Sequence, residues 1–318
     1  MGIVKVSAAG LAVLLLLSSG VAASGFEALG VGAKATAMGG AFRAVADDWS
    51  AAYYNPAGYA DLLDNQLGAN LALFQYRNEI TPRYYWDAPD SQNASGMMNG
   101  RPGYNFDEVL NNPSAGLALR LPVFGESVFG LSIYQPFDYN VKWNLYQPLT
   151  TYNSKLTLPG NQFQNNFDIV AFQLTAAREF VEDKLSLGVG LQLLRADLLY
   201  TNVLFRTNPY LARDPGWEPA TRPWEKVTQW TSNDGKGWGF GLNLGAKLKP
   251  SENMTLAATI AVPGDITVKG ESSLEFYMPQ YFDSESESFT GGTVEHMLTA
   301  GNKIVDSADF EATLKLPP

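Results

Sequence analysis

One histidine, His296, and no cysteine occur in the 318 residues. A serine nucleophile needs a base to take its proton, and His296 has no Gly-x-Ser-x-Gly sequence near it. Zinc chemistry lacks its usual nitrogen and sulfur ligands. No Gly-rich phosphate loop follows a strand-like segment. The net charge of -10 has the wrong sign for a nucleic-acid footprint. The chain is therefore not read as an enzyme, and no metal, cofactor or nucleic acid is expected.

The chemistry left is hydrogen bonding, charge and apolar contact. Asn55-Pro56-Ala57 follows Asp47 and Asp48. Pro56 fixes φ and biases Asn55 to an extended backbone, which leaves the Asn55 carboxamide to bond strand backbone left unpaired at a kink; an ordinary turn is the other reading. Gln135-Pro136-Phe137-Asp138 puts a proline inside a strand pattern. Proline cannot donate to a ladder, so this segment is either a break in a wall or the end of a strand. Arg120, Lys247 and Lys315 are cations on polar-parity positions, suited to a ligand carboxylate or to a partner such as Glu311.

The elements that must position these residues read as strands. Trp238, Phe240, Leu242, Leu244, Ala246 and Leu248 alternate with Gly and polar residues. Similar period-2 segments cover 66–78, 114–121, 128–143, 165–181, 185–201, 254–269 and 309–316, eight in all. In a membrane barrel the apolar face meets lipid and the polar face turns inward, and by this parity Arg120, Lys247, Glu311 and Lys315 all face inward. Phe74, Tyr76, Tyr134, Phe167 and Ile169 fall on the same inward parity near the loop side, as a hydrophobic pocket requires.

Short turns at 122–127, 182–184 and 249–253 alternate with long loops at 79–113, 144–164, 202–236 and 270–308, the outer-membrane pattern. The loops carry Tyr84, Tyr85, Trp86, Met97, Met98, Tyr104, Phe106, Tyr210, Trp217, Trp224 and Trp230, suited to a greasy groove or to interfacial packing. Residues 1–23 have the basic start, short apolar run and small cleavage residues of a signal peptide. Residues 24–62 lack sustained alternation and are expected as a plug. Residues 63–318 are expected as the barrel. The last strand runs into Leu316-Pro317-Pro318 where a short turn is due, so further C-terminal strands are expected beyond it.

Residues 25–62, GFEALGVGAKATAMGGAFRAVADDWSAAYYNPAGYADL, resemble the start of the FadL-type outer-membrane transporters of long-chain fatty acids and aromatic hydrocarbons. The matching features are Phe26, the Ala37 to Ala41 run, Ala46-Asp47-Asp48 and Asn55-Pro56-Ala57. Gln135-Pro136-Phe137 is similar to the family's Pro-Phe-Gly, with Asp138 in place of the glycine. The resemblance implies an all-β, antiparallel transmembrane barrel of about fourteen strands, about eight of them present here, with an N-terminal hatch in its lumen. It also implies passive, monomeric transport of a hydrophobic small molecule in the bacterial outer membrane, among its lipids and lipopolysaccharide, with lateral exit at a kinked strand. A role as a shuttle or anchor in protein secretion, or as a general porin, is the alternative.

Overall fold

The computed structural model describes residues 30–80, 104–122, 125–145, 158–207, 226–277, 282–283, 288–289 and 303–316. The signal-peptide expectation and most of the loop aromatics lie outside these residues.

Alternating residues of high β propensity form nine principal strands: β1 (Gln66–Ile80), β2 (Tyr104–Leu121), β3 (Ser127–Trp143), β4 (Phe163–Val181), β5 (Leu185–Thr207), β6 (Lys226–Ser251), β7 (Met254–Pro263), β8 (Ile266–Tyr277) and β9 (Lys303–Leu314). They pair antiparallel in one sheet in chain order, with β7 and β8 both on the same side of β6. The sheet does not close among the described residues; β1 and β9 end the ordered path. Tight turns join β4 to β5 and β6 to β7; at the first, Lys184 N–H donates to the Val181 carbonyl at 2.9 Å. Among the described residues no helix is long and apolar enough to cross a membrane.

The outer face is graded. Leu67, Leu117, Leu131, Leu174, Leu191, Leu242 and Val262 lie in one cross-strand row, and Leu67 is 83% and Leu174 61% exposed. Six residues further along β3 to β9, past the β3 and β7–β8 irregularities, a second row runs Asp138, Asp168, Asp197, Lys236, Lys269, Glu311. Lys236–Asp197 and Lys269–Glu311 are ion pairs at 3.6 and 3.2 Å. On β4, Leu174 to Asp168 is about 20 Å along the strand at ~3.4 Å per residue, and about 15 Å along the normal at the ~40° tilt of such barrels. That is half a hydrocarbon core of roughly 30 Å. A leucine row at the midplane thus brings the charges to the head groups.

The segment expected as one strand over 254–269 is divided. Residues 241–248 of β6 pair with β7 and residues 228–238 with β8, and the register slips by one residue around Gly264. Gly264 N–H donates to the Phe240 carbonyl at 2.7 Å, an approach so close that a Cβ would collide with that oxygen. The extra residue reverses the parity: Ile260 and Val262 face out, whereas Ile266 and Val268 are buried. The reversal passes to β9, where Phe310 and Leu314, followed by Leu316, pack on the interior. Glu311 and Lys315 are therefore exposed and not inward, which corrects the expectation for both; Glu311 meets Lys269 on the outside. Tyr104 and Phe106 lie in β2 and Trp230 in β6, so they belong to long strands and not to loops.

Candidate functional site

Residues 30–62 lie against the inner face of the sheet. A helix at Ala51–Tyr54 and a 3₁₀ turn at Pro56–Asp61 are too short to persist alone, so their backbone groups need partners. Asp48 Oδ1 accepts from Ser50 N and Oγ at the start, at 2.8 and 2.6 Å. At the other end the wall supplies the caps. Gln173 Nε2 donates to the Ala52 carbonyl at 2.7 Å, Asn243 Nδ2 to Ala52 and Tyr53 at 3.1 and 3.3 Å, and Thr259 Oγ1 to Tyr54 at 3.0 Å.

Asn55 is fully buried. Its Oδ1 accepts from Ala57 N–H at 3.1 Å, and its Nδ2 donates to Arg43 and Ala246 carbonyls at 3.1 and 3.3 Å. It does bond wall backbone, though in β6 and not at a break in β3. Asn55 to Ala57 touch the wall where Gly188 and Gly245 stand; a Cβ on either would collide with them. Asp47 holds Lys34 at 2.6 Å on the surface.

Cations fasten the lower end. Lys247, 5% exposed, lies 2.5 Å from Asp61 and donates to the Val45 carbonyl at 2.6 Å, and Lys249 reaches Asp61 at 2.9 Å. Burial works to raise the Asp61 carboxyl, but bonds and charge from Lys247 and Lys249 outweigh it, leaving it below the usual carboxylate value. Arg120 donates to Leu62 and Ala60 carbonyls at 3.0 and 3.4 Å. Arg120 and Lys247 face inward as expected, with their donors directed at the N-terminal segment; the partner of Lys247 is Asp61, not Glu311. Burial pushes the Tyr59 phenol up to about 12; its hydroxyl contacts Ser132 Oγ at 3.2 Å and donates to the Trp49 carbonyl at 2.8 Å.

Beyond this segment the inner face turns apolar. Phe137, Ile169, Ala196, Gly237, Val268 and Ala312 form one inward row, and Tyr139, Phe167, Leu198, Gly235, Gly270 and Phe310 the next. Tyr134 and Ile169 are buried in the same cluster, and the Phe137 and Phe167 rings meet at a tilt, centroids 6.4 Å apart. Phe74 sits on β1 beside Gly30. Tyr76 lies in β1, and its side chain is outside the described residues.

The wall is interrupted beside these rows. β2 and β3 pair only from Ala115↔Ile133 to Leu121↔Ser127. Above that, β2 stays with β1 up to Tyr104 and β3 stays with β4 up to Trp143. β3 does not end at Pro136. Gln135 and Pro136 form a bulge against β4, between Tyr134↔Ala171 and Phe137↔Ile169, which turns Phe137 inward and Asp138 outward. Pro113 and Pro136 each remove a backbone donor where the shared ladder stops. A side chain bridges there instead: Asn112 Nδ2 donates to the Gln135 carbonyl at 3.2 Å, and Gln135 Nε2 to Asp168 Oδ1 at 3.0 Å.

Sequence reading missed Asn112, Gln173, Gln192 and Asn243. Gln173 Oε1 accepts from the Tyr134 hydroxyl, and Gln192 Nε2 donates to both at 2.8 and 3.0 Å. The signal was present as Gln and Asn on inward strand positions, where Gly, Ala and Thr surround them.

The family described as outer membrane protein transport protein (OMPP1/FadL/TodX) matches residues 14–317. The chain belongs to this family. As a FadL/TodX member it is a bacterial outer-membrane β-barrel protein, which agrees with the exposed leucine belt. Among solved structures it is similar to a Pseudomonas aeruginosa FadL homologue, at 20% identity and a TM-score of 0.56, over 79% of this chain and 55% of that one. That likeness shows the fold. Weaker matches are a monoaromatic hydrocarbon channel, CymD (14% identity, TM-score 0.48, 82% of this chain and 67% of that one), and the P. putida toluene transporter TodX (13%, 0.44, 83% and 59%). The chain thus spans 55% of the length of the Pseudomonas aeruginosa relative. No curated protein matches.

Proposed function

We propose that this FadL/TodX protein carries hydrophobic small molecules across the outer membrane, along its apolar inner rows and sideways through the β2–β3 seam. Residues 24–62 act as the hatch, with Asn55, Pro56 and Ala57 fixing its seat and Asp47 and Asp48 its entry. The observation that carries this reading is the juxtaposition of Phe137, Phe167 and Ile169 with a wall that loses its ladder at Gln135 and Pro136. A general porin has no use for an apolar lumen, and each ligand CH₂ buried there gains about 0.8 kcal/mol. Tyr134 and Phe74 extend the same lining, and Tyr76 follows on the inward parity of the sequence. Arg120 and Lys247 hold the hatch and leave ligand binding to area, and Lys315 takes no part inside.

The test is uptake of a labelled alkane by cells making the full-length protein with Phe167→Asp or Ile169→Asp. Uptake falls to the level of cells lacking the protein, while the barrel still assembles and keeps its heat-modifiable gel mobility. Assembled variants that transport normally contradict the reading and favour a role without a ligand path, such as secretion.

A further inference from the structure

Three buried polar atoms at the seam have no hydrogen-bond partner: Asn112 Oδ1, Ser114 Oγ and Gln135 Oε1. Asn112 is fully buried and Ser114 is 4% exposed. They are three of the eight such atoms among the described residues, gathered where β2 and β3 part. Native folds rarely leave buried polar groups unpaired without a use for them.

The chemistry of what is left over is specific. The donors of both carboxamides are directed elsewhere, Asn112 Nδ2 to the Gln135 carbonyl and Gln135 Nε2 to Asp168. The Asn112 oxygen and the Ser114 hydroxyl remain on the inward side of β2, in register with Ala72 and Asn70, and the Gln135 oxygen remains across the gap beside Asp168, a set made mostly of acceptors. A carboxylate brings no donor to it, and it would meet Asp168 beside Gln135 and Asp138 in register with Asp168. An ammonium would carry its charge into the apolar interior at a large desolvation cost.

We propose that the seam is a subsite for a neutral, hydrogen-bond-donating head group, the hydroxyl of an amphiphilic alcohol or phenol, whose apolar body lies along Phe137 and Phe167. The three atoms are covered in the closed seam, so the subsite forms as the Asn112–Gln135 bridge gives way. This inference rests on the lateral-path reading and adds the substrate class.

The experiment is displacement of a fluorescent apolar probe from purified full-length protein by dodecane, 1-dodecanol, dodecanoate at pH 8 and dodecylammonium, each corrected for partitioning. Dodecanol is expected to bind about fivefold to tenfold tighter than dodecane, the worth of one net hydrogen bond. Asn112→Leu brings the ratio of dodecanol to dodecane affinity toward one; should this variant fail to fold, Ser114→Ala lowers the same ratio. The inference is overturned if the dodecanol advantage is absent or survives both substitutions, or if dodecanoate or dodecylammonium binds best. Failure of dodecane itself to displace the probe overturns the lateral-path reading beneath it.

Discussion

Gln173 Nε2 donates to the carbonyl of Ala52 at 2.7 Å, across 121 positions of sequence. The same carboxamide accepts from Tyr134, the last residue of β3 in register before the bulge. One side chain therefore touches both the N-terminal segment and the wall beside the seam. Whatever displaces the helix at Ala51–Tyr54 also removes a partner from Gln173, which holds Tyr134, and takes the Tyr53 ring from Tyr134 itself.

Asn55→Ala tests how the N-terminal segment is seated. Three hydrogen bonds disappear and buried partners are left unpaired, at about 1–3 kcal/mol. Amide exchange over residues 51–61 is expected to accelerate by about tenfold to a hundredfold, with alkane uptake reduced and barrel assembly intact. Unchanged exchange in these amides contradicts the role given to Asn55.

The Asp61 carboxyl predicts a pH response. Its folded value is depressed, so the stabilisation is complete above the unfolded value, near 3.9, and is lost as pH falls through the lower folded value. Release of the segment, followed by Trp49 fluorescence, is expected below about pH 4. Asp61→Asn, which leaves Lys247 buried without its counter-ion at a cost of about 3–5 kcal/mol, should show release already at neutral pH.

Gly245→Leu tests the seat from the wall side. Even a Cβ at Gly245 collides with Asn55 Oδ1 and comes within 2.8 Å of Pro56 Cδ. A larger side chain keeps the N-terminal segment from docking, and if that segment is a hatch, planar bilayers holding the variant are expected to show ion conductance absent from the parent protein.

Much of this architecture can be read in the sequence because a half-lipid, half-lumen strand must alternate, and the leucine row obeys that rule on seven strands. The N-terminal segment stood apart through its lack of alternation and through Asn55-Pro56-Ala57, whose Ala57 N–H bond to Asn55 Oδ1 is local, whereas the Asn55 bond to Ala246 lies 191 positions away and has no local signature. The two residues assigned to the wrong face share one cause. A bulge such as that at Gly264 reverses parity without any mark in the alternation, so Glu311 and Lys315 were assigned to the wrong face. Arg120 and Lys247 also donate to backbone carbonyls 58 and 202 positions away, which carry no sequence signature, and the ion-pair partner of Lys247, Asp61, lies in the non-alternating segment where no parity rule points to it. Residues 104–113 were read as loop because a seam needs no apolar outer face where it leaves the membrane's core.

The outer face has its own test. Leu174→Arg places a cation on the leucine row and should lower stability in lipid vesicles by about 2–4 kcal/mol. Asp168→Asn, six residues along the same strand, should change it far less. Equal effects would mean that the belt has been drawn at the wrong height.

The seam itself can be closed. The chain has no cysteine, so a pair introduced by Asn112→Cys and Gln135→Cys has no native thiol to compete with it. Joining the pair with a disulfide or a short thiol cross-linker fixes β2 to β3 at the bridge. Alkane uptake by the full-length protein is predicted to fall to background when the pair is joined and to return when the link is cleaved by reductant. Equal uptake in the joined and cleaved forms would contradict a lateral path through the wall.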